Sequence, residues 1–148
     1  MSTHSLLLIE DNPDDIDLIL GALTRVLPRD EIAVCHDGVA ALDYLFCRAA
    51  HAARNPLEQP RLVLLDLTLP RLSGFEVLRE IRAGADTRLL PVVVLSASAE
   101  QADIQAAARF GANSYANKPL EFSRLASTLE LLARYWLDLN IPPPCRLD

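Results

Sequence analysis

Three carboxylates follow two apolar runs of the sequence, at the point where each run ends. Glu10 and Asp11 come directly after the run 6–9, and Asp66 comes directly after the run 62–65. Carboxylate oxygens are ligands that Mg²⁺ prefers, and a bound cation would shield a carboxylate from the negative charge of an incoming phosphoryl group. The pattern therefore predicts a phosphoryl-accepting aspartate, Asp66, beside a metal site.

Two later strand-like runs also end in polar residues. Ser96 follows the run 91–95, and Lys118 follows the run 113–117. The Ser96 hydroxyl and the Lys118 ammonium could each hold an oxygen of a phosphoryl group. Three carboxylates, one Mg²⁺ and one lysine have a combined formal charge near zero, so the predicted site could accept a phosphoryl dianion.

Each of these residues also has an ordinary structural interpretation. An acid or a serine after a strand is commonly a turn or capping residue, and a lone lysine is commonly a solvated surface charge. Asn12 and Pro13 are typical of a helix start. Asp14 and Asp15 then lie where the helix dipole favours negative charge, which is a sufficient structural reason for both acids. The functional interpretation therefore depends on the polar residues meeting at one place.

The order of predicted elements brings them together. Strands are predicted near 5–10, 31–35, 61–66, 91–95 and 113–117, and helices near 13–27, 38–53, 74–84, 100–110 and 121–139. Five strand-helix units predict an α/β fold with a doubly wound parallel sheet, and the alternating strand near 31–35 suits an edge. The crevice of such a sheet lies beyond the carboxyl ends of its strands, where all five polar residues fall.

Length and composition exclude several classes of protein. A chain of 148 residues predicts one domain, 1–148, with no separate effector module. A net charge of −6 without a basic stripe disfavours nucleic-acid binding. No apolar segment approaches the roughly 18 residues that span a bilayer, and no signal peptide is apparent. Three scattered cysteines suit a reducing compartment, so a cytoplasmic location is expected.

The chain resembles the receiver domain of a two-component response regulator over nearly its whole length. The spacings of thirty residues from Asp66 to Ser96, and of twenty-two from Ser96 to Lys118, are those of that family. The motifs that carry the resemblance are Glu10-Asp11, Asp66 with Pro70 and Gly74 behind it, Ser96-Ala97, Tyr115 three residues before Lys118, and Lys118-Pro119.

The resemblance implies a fold and a set of roles. The fold would be the flavodoxin-like (βα)5 receiver fold with strand order 2-1-3-4-5. Asp66 would take a phosphoryl group from a phosphohistidine of a sensor histidine kinase, with a cis peptide bond before Pro119. Mg²⁺ would be held by Asp11, Asp66, the Thr68 backbone carbonyl and, more weakly or through water, Glu10.

The same resemblance implies a two-state switch rather than an enzyme. Ser96 would move towards the phosphoryl group, Tyr115 would turn inward, and the small Ala97 would leave room at the site. The face formed by the fourth helix, fifth strand and fifth helix would report the change to protein partners. A half-buried core position is the alternative for Tyr115. Slow self-dephosphorylation is the only turnover expected.

One departure from the family pattern lies between Asp11 and Asp66. The gap is about ten residues longer than in minimal receivers, an excess that a loop tolerates at little entropic cost. We assign it to an extended second helix and a loop near 48–60. The segment resembles single-domain regulators that partner bacterial phytochrome-type kinases. A tolerated loop insertion without functional meaning is the alternative.

The last predicted helix has more apolar residues than one buried face needs. Leu131, Tyr135 and Leu137 fall outside the stripe that would pack on the sheet. We therefore expect a homodimer through this helix and the preceding strand and helix, with Leu131, Tyr135 and Trp136 as candidate contacts. Residues 141–144 of the tail 140–148 would extend the surface. Core packing alone is the alternative.

Other functions fit the sequence less well. An aspartyl-nucleophile phosphatase would need a second aspartate where Thr68 stands. A dinucleotide-binding module would need a glycine-rich loop in place of residues 10–13. A protein-interaction module independent of phosphorylation is the main alternative to a receiver. Output without an effector domain would pass to a partner protein, such as a downstream phosphotransfer protein.

Overall fold

A parallel five-stranded sheet forms the centre of the protein. The computed structural model describes residues 4–145. The strands are β1 (Leu6–Ile9), β2 (Ile32–Cys35), β3 (Leu62–Leu65), β4 (Val92–Ser96) and β5 (Ser114–Asn117). The helices are α1 (Pro13–Leu23), α2 (Gly38–Leu45), α3 (Gly74–Ala83), α4 (Gln101–Arg109) and α5 (Phe122–Ala133), with short 3-10 turns at Arg29–Glu31 and Ala49–His51. The strand order is β2-β1-β3-β4-β5, so the predicted doubly wound fold is confirmed.

The sheet is buried on both faces because helices cover each of them. Alternate residues of a strand point to opposite faces, so Leu6 and Leu8 pack towards α1 and α5 while Leu7 and Ile9 pack towards α2 and α3. All residues of β1, β3 and β4 are buried. Strand β2 lies at an edge, where Val34 is only partly buried, as the alternating pattern predicted.

The second helix is shorter than predicted. It ends at Leu45 rather than near residue 53, because Cys47 and Ala49 have backbone φ angles of 56° and 51°. Left-handed residues cannot continue a right-handed helix. Residues 46–60 therefore form an irregular segment, and the extended second helix of the sequence analysis is wrong.

The segment 46–60 is nevertheless fixed to α2. The Arg54 guanidinium stacks over the Tyr44 ring at 3.9 Å from its centroid and donates a hydrogen bond to the Tyr44 carbonyl. The Gln59 side chain donates to the Leu45 carbonyl at 2.9 Å. The segment therefore lies beside β2, where Tyr44, Arg54 and His4 line a cavity together with residues of that strand.

The last helix continues beyond α5 as a π-helical turn, Arg134–Leu139, so the predicted helix to residue 139 is confirmed. The chain then contacts the residues that precede β3. The Asn140 carbonyl accepts a hydrogen bond from Arg61 at 3.3 Å, and the Cys145 thiol donates to the Leu57 carbonyl at 3.3 Å. None of the helices between residues 4 and 145 combines the length and the apolar content that a bilayer span requires.

Candidate metal and phosphoryl site

Glu10, Asp11 and Asp66 meet at the carboxyl edge of the sheet, as predicted. Strands β1 and β3 are neighbours in register, with Ile9 opposite Leu65, so the acids that follow them emerge side by side. One carboxylate oxygen from each acid lies within 4.8 Å of the others. Glu10 is buried, Asp66 is partly buried and Asp11 is exposed, so the group opens to solvent on one side.

The loop after β3 depends on a glycine for its shape. The Gly74 N–H donates to the Leu67 carbonyl at 2.9 Å. A Cβ atom at residue 74 would lie 2.5 Å from the Asp66 carbonyl oxygen and 2.6 Å from the Leu67 Cα. The close approach brings the start of α3 against the end of β3. The Thr68 N–H donates to Asp66 Oδ1 at 3.3 Å and so orients that carboxylate; the metal role of the Thr68 carbonyl stays a prediction.

The turn after β1 orients the buried glutamate. Glu10 Oε2 accepts hydrogen bonds from the N–H groups of Asp11 at 3.1 Å and Asn12 at 3.2 Å. Asn12 Oδ1 in turn accepts from the N–H groups of Asp14 at 2.9 Å and Asp15 at 3.1 Å, which caps α1 as the sequence predicted. The turn therefore leaves Glu10 Oε1 facing the crevice.

Lys118 reaches three carboxylates. Its Nζ lies 2.6 Å from Glu10 Oε1, 3.2 Å from Asp15 Oδ2 and 3.6 Å from Asp66 Oδ2. The Lys118 N–H also donates to the Ser96 carbonyl at 2.7 Å, which continues the β4–β5 ladder and fixes the start of the side chain. The structure therefore brings the predicted lysine into the predicted acidic group.

The contact between Asp15 and Lys118 is absent from the sequence prediction. The sequence predicts only a helix-dipole role for Asp15, and its place in the first turn of α1 agrees with that role. Asp11 precedes the N-cap Asn12 and lies outside α1, so no helical spacing relates it to Asp15, and no local pattern in the sequence indicates the contact.

Burial shapes the electrostatics of the site. Burial raises the pKa of Glu10 to about 7; the charge of Asp66 adds to the rise, while the hydrogen bond from Lys118 opposes it. Burial alone would lower the pKa of Lys118, but its hydrogen bond to Glu10 and the charge of Asp66 outweigh burial and raise it. Three clustered carboxylates with one ammonium retain excess negative charge, so the group suits a hard divalent cation.

The predicted switch residues converge on Ser98. Ser96 is buried, and its Oγ accepts a hydrogen bond from the Ser98 N–H at 3.1 Å. The Tyr115 hydroxyl donates to the Ser98 carbonyl at 2.8 Å. Ala97 lies exposed between them. The structure places Ser96, Ala97 and Tyr115 beside one loop, while their movement on phosphorylation stays a prediction.

The peptide bond before Pro119 differs from the expectation. No cis peptide bond occurs among residues 4–145, so the Lys118–Pro119 bond is trans. The trans isomer is the intrinsic preference of an X–Pro bond by about 0.5–1 kcal/mol, and the contacts of Lys118 are made in that isomer. The cis proline implied by the resemblance is therefore not found.

Comparison with known proteins gives the family. Residues 6–130 match the response regulator receiver domain. The probable methanogenesis regulatory protein FilR2 of Methanothrix harundinacea is 42% identical over 138 residues, covering 93% of this chain and 86% of FilR2. Response regulator Rcp1 of Synechocystis is 32% identical over 133 residues, covering 90% of this chain and 88% of Rcp1. The chain therefore belongs to the response regulator receiver domain family.

Solved structures relate it to phytochrome response regulators. The phosphorylated cyanobacterial phytochrome response regulator RcpA superposes with a TM-score of 0.86 at 34% identity, covering 95% of this chain and 99% of RcpA. The Mn²⁺-bound form of Rcp1 superposes with a TM-score of 0.83 at 32% sequence identity, covering 93% of this chain and 97% of Rcp1. The bacteriophytochrome response regulator RtBRR superposes with a TM-score of 0.75 at 39% sequence identity, covering 98% of this chain and 86% of RtBRR. The protein is a receiver-domain response regulator homologous to these phytochrome-linked regulators.

Proposed function

We propose that Asp66 accepts a phosphoryl group from the phosphohistidine of a sensor histidine kinase. The observation that carries the proposal is the position of Lys118, whose Nζ lies 3.6 Å from Asp66 Oδ2 within a group of three carboxylates. An ammonium at this distance can bind an oxygen of a phosphoryl group carried by Asp66. The neighbouring acids supply the ligands of the cation that such a transfer requires.

Bonds and electrons balance between Asp66 and its donor. An oxygen of the Asp66 carboxylate forms a bond to phosphorus as the bond from phosphorus to the donor imidazole nitrogen breaks. The electron pair of that bond stays on the imidazole. Ser96, whose Oγ accepts from Ser98 at 3.1 Å, keeps its own hydroxyl hydrogen for a phosphoryl oxygen.

Glu10, Asp11 and Asp66 would hold Mg²⁺, with the Thr68 carbonyl as a further ligand. The cation would neutralise charge on the phosphoryl oxygens when it is bound. Three oxygen donors within 4.8 Å suit this ion, and the homologous Rcp1 has a Mn²⁺-bound form. The 2.6 Å ion pair with Glu10 would keep Lys118 Nζ beside the acceptor, at 3.6 Å from Asp66 Oδ2.

The kinase partner would be of the phytochrome type. RcpA is a phytochrome response regulator and RtBRR a bacteriophytochrome response regulator, and both align with more than nine-tenths of this chain. The fixed segment 46–60 beside β2 is the feature that departs from minimal receivers. The phosphorylated protein would then act on a partner protein, or on a downstream phosphotransfer protein, through the face formed by α4, β5 and α5.

A homodimer through the last helix is part of this proposal. Leu131 is 71% exposed and Tyr135 is 50% exposed, while the Trp136 ring packs partly against the core and meets the Tyr135 ring edge to face at 5.0 Å. Leu139 and Ile141 extend the exposed apolar surface towards the tail. A second copy of the chain would cover these side chains.

Phosphorylation with acetyl phosphate and Mg²⁺, followed by intact-mass analysis, tests the acceptor. We expect a Mg²⁺-dependent phosphoryl adduct on the parent protein, no adduct on Asp66→Asn, and a normal adduct on Asp17→Asn, a matched change at an exposed acid of α1. An adduct on Asp66→Asn at the parental level, or none on the parent, would contradict the proposal. Release of phosphate from a generic phosphomonoester at an enzyme-like rate would instead favour a phosphatase.

A further inference from the structure

Asp15 is a carboxylate of the site that has no part in the metal or phosphoryl roles assigned above. Its Oδ2 lies 3.2 Å from Lys118 Nζ, and its side chain is 35% exposed. The three-carboxylate group consists of Glu10, Asp11 and Asp66. Asp15 therefore contacts the site through the lysine, and it does so from the first turn of α1.

Acids near α1 bind two of the three N–H groups of Lys118. Glu10 accepts at 2.6 Å and Asp15 at 3.2 Å, while Asp66 lies at 3.6 Å, an ion-pair distance beyond hydrogen-bond range. The two shorter distances are to acids near α1, while the acceptor is the farthest of the three. The two shorter contacts hold the ammonium on the α1 side, so a movement of the ammonium towards a phosphoryl oxygen on Asp66 would lengthen at least one of them.

Burial decides which contact can be released. The Glu10 side chain is only 2% exposed, so separating it from Lys118 would leave a buried charge unpaired. The Asp15 side chain is exposed enough for water to replace the lysine. The contact with Asp15 is therefore the one that yields when the phosphoryl group arrives.

We propose that Asp15 is a positioning residue that holds Lys118 towards α1 and competes with the phosphoryl group on Asp66 for its ammonium. The inference rests on the proposed function, because the competition requires a phosphoryl group at Asp66. Its consequence is that Asp15 slows phosphorylation of the protein. Removing the charge of Asp15 frees one ammonium donor and takes one negative charge away from the incoming dianion.

Asp14 provides a matched control. It is the neighbouring acid in the same first turn, its side chain is exposed, and its N–H is bound by Asn12 as that of Asp15 is. Asp14→Asn therefore removes the same charge and the same helix-dipole interaction without the lysine contact. We expect Asp15→Asn to raise the initial rate of phosphorylation by acetyl phosphate about two- to fivefold at saturating Mg²⁺, and Asp14→Asn to change it less than about 1.5-fold.

A double-mutant cycle tests whether the effect passes through the lysine. In a Lys118→Ala background, Asp15→Asn should accelerate phosphorylation no more than Asp14→Asn does. Acceleration that persists without the lysine would overturn the inference. Equal rates for Asp15→Asn and Asp14→Asn, or a slower Asp15→Asn, would overturn it as well.

A readout without phosphorylation is available because Lys118 is the only lysine in the sequence. A nitrogen isotope introduced on lysine gives a single side-chain ammonium resonance. We expect Asp15→Asn to shift this resonance and to speed its hydrogen exchange, and Asp14→Asn to leave both unchanged. An unshifted resonance would overturn the lysine contact itself.

The two proposals fail in different ways. If the parent protein gains no phosphoryl group, the proposed function fails and the competition falls with it, whatever the resonance shows. If the parent is phosphorylated but Asp15→Asn behaves as Asp14→Asn, the acceptor role of Asp66 stands and only the competition is overturned.

Discussion

At the scale of single residues, Ser98 links the two side chains expected to switch. Its N–H donates to Ser96 Oγ at 3.1 Å, and its carbonyl accepts from the Tyr115 hydroxyl at 2.8 Å. Its own hydroxyl donates to Asp103 in α4 at 2.6 Å. A movement of Ser96 towards Asp66 would therefore also disturb the position of Tyr115 and the start of α4.

The Tyr115 hydroxyl makes a measurable contribution to this arrangement. Tyr115→Phe removes its hydrogen bond and leaves the partly buried Ser98 carbonyl without that donor, so we expect the free energy of unfolding to fall by about 1 kcal/mol. Urea unfolding monitored by circular dichroism measures the change. The same substitution at the half-exposed Tyr135 should change the stability by less than about 0.5 kcal/mol. Equal effects at the two positions would count against a structural role for the Ser98 contact.

At the scale of elements, α3 is fixed at both ends and so holds the Asp66 loop. Its first turn carries a capping box between Ser73 and Glu76. Near its last turn, Arg82 donates to the carbonyls of Leu90 and Gly111, each at 2.8 Å. The helix is thus connected to the start of β4 and to the loop before β5. The loop between β3 and α3 has little freedom, which keeps Asp66 in place.

Gly74, the first residue of α3, leaves no room for a side chain beside Asp66. Gly74→Ala would place a Cβ 2.5 Å from the Asp66 carbonyl oxygen, and that neighbour is strand-end backbone that cannot turn aside. We expect a loss of about 2–4 kcal/mol in unfolding free energy and a weaker response to Mg²⁺. Chemical denaturation with and without Mg²⁺ measures both.

Gly21 offers the opposite case. It lies within α1 with no atom within 4 Å of an added Cβ, so Gly21→Ala should raise the stability by about 0.5–1 kcal/mol.

A stable Gly74→Ala with an unchanged Mg²⁺ response would show that the loop relaxes, contrary to the expectation.

At the scale of the whole molecule, the last helix and the residues after it carry four exposed large apolar side chains, Leu131, Tyr135, Leu139 and Ile141. If a second copy covers them, Leu131→Glu should raise the dimer dissociation constant at least about tenfold, because the charge would be buried at the contact. Sedimentation velocity over a concentration series, with and without acetyl phosphate, measures the effect.

Leu18→Glu is the matched control for that experiment. Leu18 is 41% exposed and lies in α1, outside both the last helix and the tail. We expect it to leave the dissociation constant unchanged. A parent protein that stays monomeric at every concentration, phosphorylated or not, would exclude the dimer.

The strand-end residues show how far sequence could predict this molecule. Glu10, Asp66 and Lys118 follow β-prone runs, and parallel strands bring such positions together whatever the details of the loops. The end of α2 could not be predicted, because Cys47 and Ala49 adopt left-handed conformations that neither side chain favours. The contact between Asp15 and Lys118 joins residues 103 positions apart, and no local pattern reveals a pair of that kind.

The single lysine has a consequence for covalent modification. Acetyl phosphate has two electrophilic atoms: Asp66 would attack phosphorus, whereas a side-chain amine attacks the carbonyl carbon. Lys118 is the only side-chain amine in this sequence, and its side chain is 10% exposed. Acetylation of a side-chain amine would therefore remove the positive charge from the phosphoryl site itself. In this protein, an acyl donor would modify Lys118 and a phosphoryl donor would modify Asp66, the two partners of one ion pair.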